Sequence, residues 1–150
     1  MARVDQVFHL REAEKELGFA QAVRSGNTLY VSGTCAVGLD NEVVAPGDMR
    51  GQLEHIYRII TMALEAHGAS FENVVKEMIF VNDIDALRDA LPIRKKFYAG
   101  AAPPAATWIE VSRFMRPDFV IEIEVTAELP GERNQGSGLE TRNQGSGLET

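Results

Sequence analysis

The spacing of apolar residues predicts two helices in the middle of the chain. The first spans residues 49–66, where apolar side chains recur three or four positions apart and form one stripe. The members of this stripe are Leu53, Ile56, Tyr57, Ile60, Ala63 and Leu64. Asp48 is the predicted N-cap, because its carboxylate can accept a hydrogen bond from an unpaired backbone N–H. The second predicted helix spans residues 84–98, and Pro92 either kinks it or marks its true start.

The N-terminal third of the chain predicts strands. Residues 3–9 are a candidate edge strand, and residues 11–16 (REAEKE) read as a charged loop or a helical turn. Residues 20–24 and 28–32 then flank a Ser-Gly-Asn sequence, and Gly-Asn is a favoured pair in tight turns. We therefore expect an antiparallel hairpin in this region.

Three further strands are predicted, at residues 74–81, 105–111 and 118–128. In the last of them apolar side chains alternate with Glu122 and Glu124, which indicates one buried and one polar face. The element order β-β-β-α-β-α-β-β predicts an α+β fold in which two helices cover one face of a single sheet.

The uncovered sheet face calls for its own interpretation. If the last two strands pair antiparallel, this face carries Trp108 and Glu110 beside Glu122 and Glu124. One interpretation is a solvated face with a single stray aromatic residue. The other is an oligomer interface with binding clefts between subunits, since apolar surface rimmed by polar residues often marks a contact site.

Length and composition indicate one globular domain followed by a distinct tail. The chain has 150 residues, of which 45% are hydrophobic and 25% charged. The sequence RNQGSGLET at 133–141 is repeated at 142–150, and it contains almost nothing to bury. We expect a domain at 1–131 and a disordered tail at 132–150, which is either native or added for expression.

Charge and residue counts exclude several function classes. Fifteen basic and twenty-two acidic residues give a net charge of −7, which disfavours general binding to nucleic acid. One cysteine excludes an internal disulfide bond and a multi-cysteine zinc site, and the three histidines lack ligand spacing. The sequence has neither a membrane-spanning apolar run nor a signal-peptide pattern, so we expect a cytoplasmic protein.

Five stretches of the chain resemble the Rid family, the reactive intermediate deaminases that are also called YjgF-like. They are GNTLYVSGT at 26–34, QLEHIYRII at 52–60, LEAHGASFENVVKEMIFVNDI at 64–84, IEVSR at 109–113 and VIEIEV at 120–125. Their order and spacing match the family over residues 15–129. The resemblance implies a chorismate-mutase-like α+β domain with a mixed sheet. It also implies a homotrimer with a central barrel and three clefts between subunits.

The resemblance also implies a chemistry. The best-known members hydrolyse imines and enamines of short amino acids to keto acids and ammonia, without a cofactor. In them an arginine at the start of the penultimate strand holds the substrate carboxylate, and a glutamate in the last strand positions the attacking water. The glutamate falls on Glu122 and a strand-end glycine falls on Gly33. The arginine position falls on Ala106, whose methyl group cannot bind a carboxylate, and a cysteine position falls on Trp108.

Other candidate substrate-binding residues follow from the same comparison. Phe19 stands where the family often has a tyrosine near the N-terminal hairpin. Arg113 either replaces the missing carboxylate binder or pairs with a glutamate. Cys35 either lines the cleft or simply packs as a small residue, since a nucleophilic role needs a lowered pKa and a nearby base. Ala106 and Trp108 together predict a ligand that is larger, less anionic or more aromatic than a short 2-imino acid.

Three function hypotheses remain open at this point. The first is a cofactor-independent deaminase that hydrolyses a C=N bond of a small nitrogen-containing metabolite, with Glu122 as the catalytic residue. The second is a non-catalytic trimer that binds a small molecule, which the loss of the arginine favours. The third is a ribonuclease or translation inhibitor, a role that family names have carried. The net charge of −7 argues against that third hypothesis and against nucleic-acid partners.

Overall fold

The structure is a computed structural model that describes residues 6–131. The predicted tail at 132–150 lies outside the described residues, as does the start of the predicted strand at 3–9. Within 6–131 the chain forms a mixed α+β fold with one six-stranded sheet. No helix in this part of the chain is long and apolar enough to cross a membrane.

Three α-helices are present within residues 6–131, one more than predicted. They are α1 (Glu12–Leu17), α2 (Met49–Glu65) and α3 (Ile84–Phe97), with a short 3-10 turn at Phe71–Asn73. The extra helix is α1, which lies in the segment 11–16 that was predicted to be either a charged loop or a helical turn. Its six residues are too few for periodicity to separate a helix from a charged loop.

The ends of the two long helices follow the capping chemistry. The Asp48 carboxylate accepts a hydrogen bond from the Arg50 backbone N–H at 3.2 Å, which confirms it as the N-cap of α2. Asp83 caps α3 in the same way, through the backbone N–H groups of Asp85 and Ala86 at 3.0 Å each. Pro92 therefore lies inside α3 and does not mark its start.

Each predicted segment contains or overlaps a strand, with its ends shifted by up to three residues. They are β1 (Gln6–Phe8), β2 (Ala22–Ser25), β3 (Thr28–Thr34), β4 (Val74–Val81), β5 (Ala105–Glu110) and β6 (Ile121–Glu128). Their order in the sheet is β1-β2-β3-β6-β4-β5, and every neighbouring pair is antiparallel except β4 with β5. The last strand thus lies inside the sheet, and β5 is left at the edge.

The predicted antiparallel pairing of the last two strands is wrong. β5 pairs in parallel with β4, since α3 forms the crossover that a parallel connection requires, and β6 fills the gap between β3 and β4. Trp108 lies opposite Ile79, whereas Glu122 lies opposite Phe80. Successive residues of a strand point to opposite faces, so Trp108 lies on the helix-covered face and Glu122 on the other.

The core lies between the sheet and the helices α2 and α3. On β6 the side chains of Ile121, Ile123, Val125 and Ala127 are buried, which confirms the alternation predicted for this strand. The helix-covered face also holds one fully buried carboxylate, Glu77 on β4. Its oxygens accept hydrogen bonds from the Tyr57 hydroxyl at 2.8 Å, the Tyr98 hydroxyl at 2.7 Å and Arg94 Nε at 2.8 Å.

Candidate functional site

A cavity of about 580 Å³ opens at the end of β3, on the side of the sheet where Glu122 lies. Helix α1 contributes Glu14 and Leu17 to its wall, and the end of β3 contributes Gly33 and Thr34. The connection between β5 and β6, residues 111–120, closes another side of it. The volume falls within the range of roughly 300–1,000 Å³ that is typical of small-molecule sites.

The Glu122 carboxylate occupies a slot formed by Gly33 and Cys35. A side chain at position 33 would overlap Glu122 Oε1, so this close approach requires glycine. On the other side the Cys35 thiol donates a hydrogen bond to Glu122 Oε2, with an Sγ–Oε2 distance of 3.5 Å. The thiol is the only side chain in the described part of the chain that donates a hydrogen bond to this carboxylate. Its remaining acceptor positions are therefore available to a water or a ligand.

The same environment determines the state of Cys35. Burial raises the pKa of the Cys35 thiol well above its usual range, and the negative charge of Glu122 raises it further. The thiol is consequently protonated at neutral pH, which matches its role as a hydrogen-bond donor. A thiolate nucleophile is the opposite state, so the geometry favours packing and hydrogen bonding over nucleophilic attack.

A polar wall ties α1 to the rest of the cavity. Arg11 Nη1 donates to the Val37 carbonyl at 2.7 Å, and Arg11 Nη2 donates to Gln21 Oε1 at 3.4 Å. Gln21 in turn donates to the Thr34 hydroxyl at 2.9 Å, at the end of β3. Arg11 also lies 3.5 Å from the buried Glu14 carboxylate. The Arg11 guanidinium is thus occupied by contacts within the protein.

The buried side chain of Gln52 holds the 111–120 connection in place. Its amide nitrogen donates to the carbonyls of Ala45 at 3.1 Å and Asp118 at 2.7 Å, and its oxygen accepts from the Val120 N–H at 3.0 Å. Three hydrogen bonds from one fully buried amide fix the end of this connection against α2. The residues just before Asp118 are positioned by this anchor.

Two residues beside this anchor reach the cavity and were not singled out by the sequence. Phe119 is buried in the wall, and the Arg116 guanidinium lies over its ring, with 5.6 Å between Cζ and the ring centroid. Arg116 is exposed and makes no ion pair with any residue in 6–131. No sequence signal pointed to it, because its neighbours RPD read as an ordinary turn between strands.

The structure brings four of the predicted site residues together. Phe19, Gly33, Cys35 and Glu122 all line the cavity. Arg113 lines an adjoining hollow of about 450 Å³, which it shares with Glu122. Glu122 therefore stands between the two hollows.

Two of the predicted site residues, Ala106 and Trp108, do not line either hollow. Ala106 lies opposite the buried Glu77, and Trp108 contacts Arg94, whose Cζ is 5.1 Å from the indole ring. The prediction that Trp108 shares a face with Glu122 is wrong, because β5 pairs with β4 in a register that turns Trp108 toward α3. The substrate-binding roles expected of Ala106 and Trp108 stay predictions.

Comparisons with known proteins point to a single family over nearly the whole domain. The family model described as Endoribonuclease L-PSP matches residues 11–129. A RutC family protein of Saccharolobus solfataricus is 31% identical over 124 residues, which cover 82% of this chain and 97% of the relative.

Solved structures agree with these sequence relatives. A member of the YjgF/YER057c/UK114 family from Mycobacterium tuberculosis superimposes with a TM-score of 0.71 and 27% identity, over 83% of this chain and 98% of its own. A Rid family protein of unknown function from Yersinia pestis has a TM-score of 0.71 and 26% identity, over 75% and 88% of the two chains. The protein is therefore a member of the Rid family, also known as the YjgF family.

Proposed function

We propose that the protein hydrolyses a C=N bond, releasing ammonia from a small imine or enamine, with Glu122 as the catalytic residue. The observation that carries this proposal is the Glu122 slot. A carboxylate is held in a largely apolar cavity with a single side-chain donor, so it has free acceptor positions facing space for a ligand. The same reaction class is the one that the resemblance to the reactive intermediate deaminases implies.

The proposed reaction needs water as its only co-reactant. Glu122 accepts a proton from a water molecule as the water oxygen bonds to the carbon of the C=N group, and the electron pair of that double bond moves to nitrogen. Because the C=N nitrogen carries a proton from solvent, this addition gives a neutral carbinolamine. Its nitrogen takes the proton held by Glu122 and leaves as ammonia, while the hydroxyl proton passes to the Glu122 carboxylate and then to solvent as the C–OH becomes a carbonyl. The net change is one C=N group and one water converted to one carbonyl compound and ammonia.

The preferred substrate is proposed to be larger than a short 2-imino acid. Ala106 offers no cation where other members carry an arginine, which removes the usual anchor for an α-carboxylate. The cavity of about 580 Å³ and its apolar wall, including Leu17, Phe19 and Phe119, suit a ligand with a substantial apolar body. We expect turnover of short 2-imino acids to be poor for both reasons.

The proposed working form is a homotrimer with its sites at subunit clefts and a central barrel. Strand β5 leaves one edge of the sheet unpaired and exposes Trp108 and Ile109 there, at 39% and 40%. An exposed apolar edge strand is a surface that proteins normally cover. Sedimentation equilibrium tests this, and a monomer at micromolar concentration would contradict it.

A non-catalytic small-molecule-binding protein is the second candidate. The methyl group at Ala106, in place of an anchoring arginine, is the observation that favours it. The two candidates predict different outcomes, because a binder releases no ammonia from any ligand.

The test is ammonia release from a panel of imines and enamines, generated in situ by an amino-acid oxidase. The panel runs from short 2-imino acids to aryl-substituted compounds. We expect Glu122→Gln to lower kcat/KM by about 10²–10⁴-fold, as is usual for loss of a general base. Glu124→Gln is the matched control, since Glu124 lies two positions along the same strand, on the same face, and outside the cavity.

Two results would contradict the hydrolase. One is the absence of enzyme-dependent ammonia from every panel member, together with specific ligand binding, which would favour the second candidate. The other is full activity of Glu122→Gln, which would remove Glu122 from the chemistry. Circular dichroism of both variants checks that each is folded.

A further inference from the structure

The cavity contains one cation whose charge is not balanced within the described residues. Arg116 lines the cavity wall, and no carboxylate of residues 6–131 lies within ion-pair distance of it. Arg11, the other cation of the wall, donates to Val37 and Gln21 and lies beside Glu14. Of these two arginines, Arg116 is therefore the one whose guanidinium N–H groups are not engaged by other residues of 6–131.

The position of Arg116 is set by buried neighbours, although its side chain is exposed. The ring of Phe119 lies beneath the guanidinium, and a cation over an aromatic face is attracted to it. Gln52 fixes the following backbone through the Asp118 carbonyl and the Val120 N–H. A planar guanidinium in such a place presents paired N–H groups to one side, a geometry that matches a carboxylate.

The charges of Glu122 and Arg116 indicate which chemical groups a ligand of this cavity carries. Glu122 favours a positive group, and a protonated C=N nitrogen is positive. Arg116 favours a negative group, and the apolar residues that line the same cavity favour a hydrocarbon body. This arrangement differs from the one implied by the family resemblance. There the cation is an arginine at the start of the penultimate strand, a position that Ala106 occupies in this chain.

We propose that Arg116 is a substrate-binding residue that recognises an anionic group on an apolar or aromatic imine. The inference rests on the proposed function, because it takes the Glu122 cavity as the substrate site. The substrate class is a zwitterion with an iminium end at Glu122, an apolar body and a carboxylate end at Arg116.

The test uses two probes that are not substrates, 3-phenylpropionate and its neutral amide, 3-phenylpropanamide. They share the same body and differ in charge, and NMR titration of the labelled protein gives a Kd for each. We expect the wild-type protein to prefer the carboxylate. Arg116→Ala is expected to weaken carboxylate binding about tenfold and to leave amide binding within about twofold. Arg116→Lys keeps the charge without the planar fork, and we expect it to restore part of the preference.

Two further variants serve as comparators. Arg88→Ala causes the same change in net charge on the surface of α3, away from the cavity, and is expected to change neither Kd. Arg113→Ala removes the competing arginine of the adjoining hollow, and we expect less than a twofold effect. Equal binding of the two probes by the wild-type protein would overturn the proposal. So would an Arg113→Ala effect as large as that of Arg116→Ala.

The result is independent of the hydrolase proposal because neither probe contains a C=N bond. Carboxylate selectivity that depends on Arg116, together with no ammonia release from any panel member, would leave the binding role standing and reject the hydrolase. Ammonia release that depends on Glu122, with no carboxylate selectivity, would support the hydrolase and reject the binding role of Arg116.

Discussion

Glu77 and Glu122 lie on neighbouring strands of one sheet, and their surroundings differ in almost every respect. Glu77 faces the helices, is fully buried and accepts hydrogen bonds from two tyrosines and an arginine. Glu122 faces the opposite side, is partly buried and accepts one side-chain hydrogen bond, from the Cys35 thiol. The comparison teaches that the donors around a carboxylate decide whether it can act on a ligand.

The Glu77 cluster is built to hold a charge in the core. Its carboxylate has no acceptor position facing open space, and the Arg94 guanidinium that pairs with it is covered by Tyr98 and Trp108. Burial lowers the pKa of Arg94, but the charge and hydrogen bond of Glu77, together with Tyr57 and Tyr98, outweigh this and raise it above its usual value. Arg94 therefore keeps its charge beside Glu77, and the role of the pair is structural.

The largest expected effect in this comparison is on stability. Glu77→Gln leaves Arg94 buried without a counter-charge, so we expect the free energy of unfolding to fall by about 3–5 kcal/mol. Glu122→Gln is expected to change it by less than about 1 kcal/mol, because Glu122 is only partly buried and has no charged partner within ion-pair distance in residues 6–131. Urea denaturation measures both. Equal losses for the two variants would show that the Glu122 environment is structural as well.

The second prediction concerns the slot itself. Gly33→Ala places a Cβ where Glu122 Oε1 now lies, so the carboxylate must move. We expect kcat/KM for ammonia release to fall about 10–100-fold, because small displacements of a catalytic group are costly. Gly131→Ala is the control, since a Cβ there would lie an ordinary 3.7 Å from its nearest neighbour, Asn27. Unchanged activity of Gly33→Ala would mean that the position of Glu122 does not matter.

The third prediction uses the tyrosines of the Glu77 cluster. Burial raises the pKa of Tyr57 above its ordinary value near 10, and the Glu77 charge raises it further. Above about pH 10 the unfolded chain loses this proton while the folded chain keeps it, so the unfolded state binds fewer protons. The free energy of unfolding therefore falls with rising pH, by about 1.4 kcal/mol per pH unit for each such group.

Tyr57→Phe should remove that share of the slope above about pH 10, as measured by urea denaturation at a series of alkaline pH values. Tyr30→Phe controls for the loss of a hydroxyl, because Tyr30 is 53% exposed on the other face of the sheet. An unaltered slope in Tyr57→Phe would show that Tyr57 ionises in the folded chain as it does in the unfolded one.

The smallest expected effect is at Cys35. Cys35→Ala removes the one side-chain donor to Glu122, and we expect a two- to five-fold loss in kcat/KM, roughly the value of one modest hydrogen bond. Cys35→Ser keeps a donor and should recover most of the loss. A nucleophilic cysteine would behave differently, since both variants would then be inactive.

The sequence predicted the elements well and the site only in part. The predicted strand at 74–81 and the helices at 49–66 and 84–98 agree with the structure to within one residue at each end. Gly33, Cys35, Phe19 and Glu122 were predicted by resemblance, and they meet in one cavity. Arg116 carried no such signal, and Gln52 stood in the resembling stretch at 52–60 with no role predicted for it. A turn arginine and a helical glutamine are common, and their roles depend on distant partners.

The periodicity of this chain by itself determined where its helices and strands lie and which faces are apolar, because those patterns depend on residues three or four apart in a helix and two apart in a strand. The tertiary structure decided which strands pair. Inserting β6 between β3 and β4 joined Glu122 to Gly33 and Cys35, and the parallel pairing of β5 turned Trp108 away toward Arg94. Such choices depend on how α3 crosses the sheet and on contacts between residues far apart in sequence, which local patterns do not encode.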